Sequence, residues 1–373
     1  MGGEGSGAGV AAGGGSLHRV PSLEVPRGSV EEQFSGVGVV AEGWYASVVG
    51  ATHRASGQRV ALKLVHKSGT RRRDFLRELH YNYFLSPHPN VVTSYAAAFD
   101  TGSAYVLAQE LAPLGDLASV VRRGGVGEAR AKRVVQQVAF ALEFMHAKEL
   151  VHRDVRLHNI LVFDADLRRV KLADFGATQR VGALVKKGAA RAAWAPPEVC
   201  GAVCHEGYHV STALDAWQLG VLLYVLLTGV FPWAAADPTD RHFAAWAKWT
   251  KRKTATVPRR FRAFTPRLLR LLRRLLQPKP EKRAGVREAY KYLEDAWLAA
   301  GAERLEAALD DSSSEAPAAG PPAQDSAEKR RLAELLARHG VQTSVDRREA
   351  TRRVCQWLLD TQGPRGARGQ RGM

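Results

Sequence analysis

The stretch VHRDVRLHNILVFD, residues 151–164, decides the fold of this chain. It places the carboxylate of Asp154 five residues before the carboxamide of Asn159, with the cationic Arg156 between them. A carboxylate can accept or orient a hydroxyl proton, and an amide oxygen can bind a metal ion. Phosphoryl transfer needs both groups, together with positioned phosphates and a further metal ligand. The stretch therefore predicts this chemistry if the remaining parts occur elsewhere in the chain.

The further metal ligand occurs downstream, in the segment KLADFG. This segment supplies Asp174, twenty residues after Asp154. Later segments fit the same arrangement: Glu198 in WAPPEV can pair with Arg283 in PEKRAG, and Asp215 in LDAWQLG can brace the catalytic loop from a buried helix. A DFG tripeptide alone indicates little, but its spacing from the first stretch makes coincidence a poor explanation.

A lysine for the phosphates occurs upstream. Lys63 in VALKLV lies on a predicted strand, where it can hold the α and β phosphates of a nucleotide. Glu78 follows fifteen residues later on the predicted helix RRRDFLRELHYNYFLS, and it is placed to pair with Lys63 and hold it. We therefore interpret Asp154, Arg156, Lys63 and Glu78 as catalytic residues, and Asn159 and Asp174 as magnesium ligands.

Two registers compete for the glycine-rich phosphate loop. The segment GVGVVA, residues 36–41, fits G-x-G-x-x-G/A, but it lies too far from Lys63. Counting back from Lys63 to a valine that covers the adenine reaches Val48, so that the loop is AEGWYASV, residues 41–48. Its three glycine positions are then held by Ala41, Gly43 and Ala46. Alanine restricts φ, so we expect a stiffer loop than one with three glycines.

The composition and the hydrophobic pattern of the chain change at three points. Residues 1–33 form a Gly-rich tail that we predict to be disordered, because it cannot bury a core. From residue 34, short β-branched runs predict an antiparallel sheet with one helix. After about residue 115 a helical period dominates, at 128–150, 211–228, 264–276 and 285–300. Residues 299–373 read as a linker, two short helices (327–339 and 346–360) and a basic tail.

The net charge and the composition restrict which partners and which cellular compartment we expect. The 54 Lys and Arg residues against 37 Asp and Glu give a net charge of +17, which favours an acidic protein substrate or an anionic membrane surface, or is simply a solvated basic surface. Three cysteines make no disulfide framework and no zinc site, so we expect a cytoplasmic protein. The start MGGEGS fits a myristoylation signal at Gly2, which would add weak membrane association; a plain glycine-rich tail is the alternative.

Residues 34–298 resemble a eukaryotic protein kinase domain, and they are most similar to the SH3-binding-domain kinase family of serine/threonine kinases. The phrases RRVKLADFG, VQQVAFALEFMH, AQELAPLGDL and LLTGVFPW carry the resemblance. It implies an α+β, bilobal fold with a small antiparallel β lobe, a larger mainly helical lobe, and ATP and Mg²⁺ in the cleft between them.

The resemblance also implies roles for residues around the nucleotide. Ala61, Val48 and Leu161 would enclose the adenine, and Asp116 would meet the ribose. The hinge contacts to adenine would come from the backbone of Glu110 and Ala112, beside Gln109 as gatekeeper. The family name suggests an SH3 ligand, but the linker 311–325 contains no PxxP motif and so gives no support for an SH3 partner.

Two residues depart from the serine/threonine pattern. Arg156 stands where those kinases usually carry Lys, and Arg191 stands where they carry a Thr that bonds the catalytic Asp. We interpret the chain as an ATP- and magnesium-dependent kinase acting on protein hydroxyls, predominantly Ser and Thr. The alternative is a pseudokinase scaffold, since Arg191 could block Asp154 instead of selecting an acidic substrate. A nucleic-acid-binding role is not expected, because the arginine-rich stretch 258–276 has the leucine spacing of an ordinary amphipathic helix.

Overall fold

The computed structural model describes residues 25–43, 45–186, 192–202 and 207–300. The predicted helices at 327–339 and 346–360, together with Gly2 and Arg191, lie outside these ranges. Within them the chain forms the two lobes that the sequence predicts, a small one built on a sheet and a larger one built on helices.

The small lobe is an antiparallel five-stranded sheet in the order β1-β2-β3-β5-β4. The strands are β1 Phe34–Glu42, β2 Ala46–His53, β3 Arg59–His66, β4 Ser94–Asp100 and β5 Ala104–Glu110. The single long helix of this lobe, α2 (Arg72–Leu85), packs its apolar side, with Phe75 and Leu79, against Tyr105 and Leu107 of β5. The sheet and the helix are where the sequence predicts them.

The ordered body begins earlier than the boundary predicted at residue 34. Residues 30–33 form a short helix, α1 (Val30–Gln33), with Val30 buried. Just before it, Gly28 N–H donates to the carbonyl of Asp100 (3.1 Å), and Asp100 N–H donates to the carbonyl of Pro26 (2.8 Å). Because β4 is an edge strand, its unpaired backbone groups need a partner, and this segment supplies one. The prediction of a disordered tail is therefore wrong for residues 25–33.

Helices build the large lobe around one apolar core. They are α3 Glu128–His146, α4 Pro197–Cys200, α5 Ala213–Thr228, α6 Arg241–Thr250 and α7 Pro266–Leu275. Almost every side chain of α5 is buried, which explains its long apolar run. No helix in the described part of the chain is long and apolar enough to cross a membrane. The leucines of α7 face the core as predicted, with arginines on the other side.

Six short strands form the part of the chain next to the cleft between the lobes and the part that follows it in sequence. They pair antiparallel as β6 with β9, β7 with β8 and β10 with β11. Their bounds are β6 Leu150–Val151, β7 Ile160–Val162, β8 Val170–Leu172, β9 Gln179–Arg180, β10 Leu184–Lys186 and β11 Gly207–His209. The stretch VHRDVRLHNILVFD, residues 151–164, begins at the end of β6 and ends just after β7.

The helix predicted over 285–300 is wrong for most of its length. Only Val286–Tyr292 is helical, as a 3₁₀-helix. Trp297 is fully buried, and its indole N–H donates to the carbonyl of Tyr292 at 2.7 Å. Leu298 forms a β-bridge with Phe264. The chain leaves the helical path because a large indole must enter the core and have its N–H satisfied.

Candidate active site

Three charged side chains from separate elements meet at the back of the cleft. The Lys63 ammonium on β3 lies 2.5 Å from Glu78 Oε1 on α2 and 2.8 Å from Asp174 Oδ1, just after β8. Burial alone would lower the pKa of Lys63, but the two carboxylates outweigh it and hold its pKa above the ordinary value. Burial also raises the pKa of Glu78. Burial also opposes the charge of Asp174, but the charge and hydrogen bond of Lys63, together with the N–H of Gly176, outweigh it, and the pKa of Asp174 lies well below the ordinary range.

The catalytic-loop residues converge on the carboxylate of Asp154. Asn159 donates from Nδ2 both to the Asp154 carbonyl and to its Oδ2, each at 2.8 Å. Arg156 donates from Nε to the same Oδ2 at 3.0 Å. The carboxylate is thus oriented by two side chains of its own loop, and Arg156 contributes a cation directly beside it. Asn159 is buried, whereas Asp154 and Arg156 are partly exposed.

The backbone of this loop is held from α5. Asp215 is fully buried and accepts the N–H groups of His152 (2.9 Å, Oδ2) and Arg153 (2.8 Å, Oδ1). Its Oδ2 also lies 2.8 Å from Nε2 of His146. One turn along the helix, Gln218 accepts the N–H of Val155 at 2.9 Å. The brace predicted for Asp215 is confirmed, whereas Gln218 and His146 were not identified from the sequence.

Arg153 and Asp174 both adopt left-handed backbone conformations, with φ of 70° and 66°. Residues other than glycine seldom adopt this conformation, which costs free energy that the surrounding hydrogen bonds must offset. For Arg153 those bonds come from Asp215, and for Asp174 they come from Lys63 and the N–H of Gly176. Of the five non-glycine residues with positive φ in the described part of the chain, these two are adjacent to, or part of, the candidate site.

The predicted nucleotide side of the cleft is formed by both lobes. Ala41 and Val48 are register partners in β1 and β2, and Gly43 lies in the turn between the strands. This supports the 41–48 register over 36–41, because residues 36–41 lie within β1 itself. Lys63 is paired with Val48 on one side.

The remaining predicted nucleotide contacts lie near the crossing between the lobes. Ala61 pairs with Gln109 of β5. On β3 it lies two residues before Lys63, which is the register partner of Val48. Asp116 forms a β-bridge with Leu161 of β7, so the predicted ribose and adenine contacts adjoin. Glu110 ends β5, and Ala112 follows it. These predicted nucleotide contacts therefore lie on paired strands of the small lobe and on the chain segment that joins it to β7.

The side chain of Glu110 has a structural partner that the sequence analysis missed. Its Oε1 contacts the buried ammonium of Lys171 on β8 and accepts the N–H of Thr93 at 2.7 Å. Because burial would disfavour the charge of Lys171, the ion pair with Glu110 is needed to retain it. The carboxylate thus ties the hinge to the large lobe, while only the backbone of Glu110 is free for a nucleotide role.

A buried polar network joins the gatekeeper to α2. Gln109 donates from Nε2 to Asn82 Oδ1 (2.7 Å) and to Ser94 Oγ (3.1 Å). Ser94 also donates to Asn82 Oδ1 at 3.1 Å, and Asn82 donates to the carbonyl of Glu78 at 2.9 Å. Asn82 is fully buried one helical turn after Glu78. The network therefore links the wall of the nucleotide pocket to the turn of α2 that presents Glu78.

We expect Asn82→Leu to lower the free energy of unfolding by about 1–3 kcal/mol, because it leaves buried polar groups of Gln109 and Ser94 without their acceptor. The double variant Asn82→Leu/Gln109→Leu should lose less than the sum of the two single changes, since removing both partners leaves fewer unsatisfied groups. Urea unfolding of the four proteins measures this coupling. Additive losses would show that the network contributes nothing as a unit.

Arg153 is occupied by groups of its own chain. Its guanidinium donates to the carbonyl of Ala177 (2.7 Å) and to the hydroxyl of Tyr208 on β11 (2.9 Å). Thr178, which is the only hydroxyl-bearing residue between Asp174 and Glu198, is fully buried, and its hydroxyl has no hydrogen-bond partner in the described part of the chain. An enzyme that phosphorylates Thr178 would have to pull it out of the core first.

Activity is therefore expected to survive treatment with a broad-specificity phosphatase. In the same way, Thr178→Val should leave turnover unchanged within about threefold, because the hydroxyl it removes makes no bond. Turnover before and after dephosphorylation, with intact mass to verify that the phosphate is gone, tests both statements. An activity that disappears on dephosphorylation and depends on Thr178 would contradict them.

Farther from the reacting groups, Glu198 and Arg283 form the predicted ion pair. The two guanidinium nitrogens donate to the two carboxylate oxygens at 2.8 and 2.9 Å. The Arg283 side chain is fully buried, and it also stacks over the Trp217 ring at 4.9 Å. This bidentate pair fixes α4 to the core of the large lobe.

Asn159 and Asp174 fit a magnesium ion that is shared with a phosphate. The Asp174 side chain keeps 42% of its surface exposed, and Asn159 turns its amide nitrogen toward Asp154, which leaves the amide oxygen for a cation. Magnesium is commonly held by one or two protein groups while substrate phosphates supply the others. The described residues contain no cluster of three His, Cys, Asp or Glu side chains that could hold a metal by themselves. The donor set therefore suits a metal-nucleotide complex.

The sequence of this chain is similar to those of known proteins. The family model described as "Protein kinase domain" matches residues 34–298. Serine/threonine-protein kinase meng-po of Drosophila melanogaster is 42% identical over 289 residues, which cover 76% of this chain and 63% of that protein. Serine/threonine-protein kinase SBK1 of Danio rerio is 40% identical over 273 residues, with 73% and 71% covered. Serine/threonine-protein kinase SBK2 of Homo sapiens is 35% identical over 277 residues, with 73% and 79% covered.

These matches confirm both the fold class and the resemblance, although the chain spans less than two thirds of the Drosophila relative. The arrangement of Lys63, Glu78 and Asp174 around the cleft is what such a fold uses to hold a nucleotide. This chain belongs to the protein kinase domain family, among the serine/threonine kinases of the SH3-binding-domain kinase group.

Proposed function

We propose that this protein is an ATP- and Mg²⁺-dependent kinase that phosphorylates serine and threonine hydroxyls of other proteins. The observation that carries the proposal is the double contact of the Lys63 ammonium, 2.5 Å from Glu78 and 2.8 Å from Asp174. It brings the helix of the small lobe, the phosphate lysine and the metal ligand together, as phosphoryl transfer requires.

Each residue of the site then has a task. The backbone of Glu110 and Ala112 binds the adenine edge, Ala61, Val48 and Leu161 enclose the ring, and Asp116 binds the ribose. The turn around Ala41 and Gly43 covers the phosphates, which Lys63 holds from below. Bound Mg²⁺ would neutralise phosphate charge, and Asn159 and Asp174 are the groups that would hold it.

The catalytic loop supplies the proton acceptor and a cation. Asp154 orients the acceptor hydroxyl and takes its proton, while Asn159 and Arg156 hold the carboxylate in place. Arg156 lies close enough to Asp154 to place positive charge near the transferring phosphoryl group, where negative charge develops. The residues that move charge are all present, and therefore a scaffold without catalysis is the less favoured alternative.

The finer statements about partners belong to the same proposal. A net charge of +17 supports an acidic protein substrate or contact with an anionic membrane surface. No SH3 partner and no nucleic-acid partner are proposed. The cytoplasmic location and the acylation of Gly2 stay predictions.

The test is a transfer assay with the purified full chain. Labelled ATP and Mg²⁺ should label protein acceptors on serine and threonine, and removal of the metal by a chelator should stop the transfer. Phosphoamino-acid analysis separates serine, threonine and tyrosine products. Label found on tyrosine alone would overturn the serine/threonine specificity, and no label on acidic, basic or tyrosine-containing acceptors would favour the scaffold.

A further inference from the structure

The large lobe carries an unbroken stretch of basic sequence that the proposed reaction does not use. From Arg241 to Arg274 there are twelve Lys and Arg residues and no Asp or Glu. Of the twelve, Arg267 and Arg274 form ion pairs, at 2.8 Å from Asp295 and 2.7 Å from Glu288. The side chains of Arg260, Arg262 and Arg273 donate to the backbone carbonyls of Phe231, Val257 and Thr250. Much of the remaining charge gathers on one side of α6.

A groove of about 470 Å³ lies between α6 and the segment that follows it. Its cationic lining is Arg241, Lys248, Arg259 and Arg262, and alanine, threonine, valine and proline complete it. A cavity of about 340 Å³ adjoins it at Thr254 and adds Arg252 and Arg273. We call the two together the basic groove.

Four cations of the basic groove have no carboxylate partner within the described residues. No carboxylate there lies within 4.0 Å of Lys248, Arg252, Arg259 or Arg262. Burial, and after it the positive charge of Arg252, lower the pKa of Arg273, so these two cations lie close enough to repel each other. An anionic occupant would relieve this repulsion.

The described chain ends beside this groove. Ala299 N–H donates to the carbonyl of Ala263 at 2.9 Å, and Ala263 directly follows Arg262 in the groove lining. The next sixteen residues, GAERLEAALDDSSSEA (301–316), contain five acidic residues and one arginine. An extended chain spans roughly 3.3–3.6 Å per residue, so the acids from Glu303 to Glu315 can all reach the groove from this exit point.

We propose that the acidic segment Glu303–Glu315 of this chain docks in the basic groove of the same molecule. Opposite charge provides the attraction, and the short connection to Ala299 makes the binding intramolecular, with an effective concentration in the millimolar range. The segment thereby covers a cationic surface of the large lobe that would otherwise be open to other anionic partners.

The test measures how a dye-labelled peptide of residues 301–316 binds to the wild-type full chain and to variants that combine three sets of changes. In the first variant the five acids are neutralised (Glu303→Gln, Glu306→Gln, Asp310→Asn, Asp311→Asn, Glu315→Gln), which leaves the folded part untouched. In the second the groove is altered (Lys248→Ala, Arg259→Ala, Arg262→Ala). A control removes the same charge from α3 and other exposed positions (Arg123→Ala, Arg130→Ala, Arg168→Ala).

The acid-neutralised variant should bind the peptide about tenfold more tightly than the wild type, because a site nine-tenths occupied by its own segment weakens a competitor by that factor. Adding the groove changes to that variant should abolish binding, whereas adding the control changes should not. Circular dichroism verifies that the groove variant is folded. If it is not, a carbodiimide cross-link in monomeric wild-type protein between Lys248, Lys251 or Lys253 and the acids of 303–315 decides the question.

Three results would overturn the proposal. Peptide binding that is equally tight in the wild type and in the acid-neutralised variant means that the groove is open, and equal binding of phosphatidylserine vesicles by both would assign it to a membrane. If the control changes weaken peptide binding as much as the groove changes do, then only the net charge of the protein determines the binding. Since the assay requires no catalysis, its outcome is independent of the kinase assay.

Discussion

Replacement of Asp154 by asparagine is expected to reduce turnover by a factor on the order of 10² to 10⁴. The shape of the side chain is kept, and its remaining oxygen can still accept from Asn159 and Arg156, which both donate to Oδ2. What disappears is the ability to take the hydroxyl proton during transfer. Nucleotide affinity should change little, because the contacts of Lys63 with Glu78 and Asp174 do not involve this residue.

Two comparison variants sharpen this prediction. Arg156→Lys keeps the charge and should alter turnover by only about tenfold, because the planar fork is lost while a cation remains. Asp166→Asn makes the same chemical change as Asp154→Asn at an exposed position, and it should have no effect. Turnover and nucleotide affinity are measured for all four proteins. A wild type that is as silent as Asp154→Asn would refute catalysis by this loop.

Replacement of Asp215 by asparagine is expected to cost about 3 kcal/mol or more in unfolding free energy and to lower turnover by roughly 10². The fully buried carboxylate accepts from His152 and Arg153 with different oxygens, and Nε2 of His146 adjoins one of them. A carboxamide offers one oxygen, and so its NH₂ group must face at least one N–H donor. The catalytic loop would lose its brace and move.

The loss should depend on pH in a defined direction. Burial opposes the charge of Asp215, but hydrogen bonding from His146 and the other donors outweighs it and lowers its pKa in the folded protein. A carboxyl group with a depressed pKa contributes its stability above the unfolded value, and that contribution is lost as the pH falls through the folded value. The difference between wild type and Asp215→Asn in denaturant unfolding should thus be constant from about pH 5 to 8 and should shrink below about pH 4. A difference that grows on acidification would contradict the argument.

The parts of the site that could be read from the sequence are those with fixed spacing along the chain. Lys63, Glu78, Asp154, Asn159 and Asp174 lie in short segments whose separations are constrained by the fold, and the structure brings them to one cleft. Asp215 was predictable for the same reason. The brace by Gln218 follows one turn later on the same helix, and only the turn spacing could have suggested it.

The residues that were missed act through contacts distant in sequence. Asn82 reads as an ordinary polar residue of α2, and its importance depends on Ser94 and Gln109, which approach it only through the sheet. Lys171 reads as a solvated strand lysine, yet it is buried against Glu110. The helix predicted over 285–300 failed for a related reason, because the burial of Trp297 overrides the helical period.

The occupation of Arg153 by Ala177 and Tyr208 has a consequence for how this enzyme could be controlled over time. A phosphate bound by such an arginine persists after the upstream signal has ended, until another enzyme removes it, and the kinase stays active for that time. In this chain the arginine is bound by a carbonyl and a hydroxyl of the same molecule, so a phosphate at that position would not prolong the active state. Its activity would then depend either on a segment that is permanently ordered or on the binding of a partner, and not on a phosphate at that position.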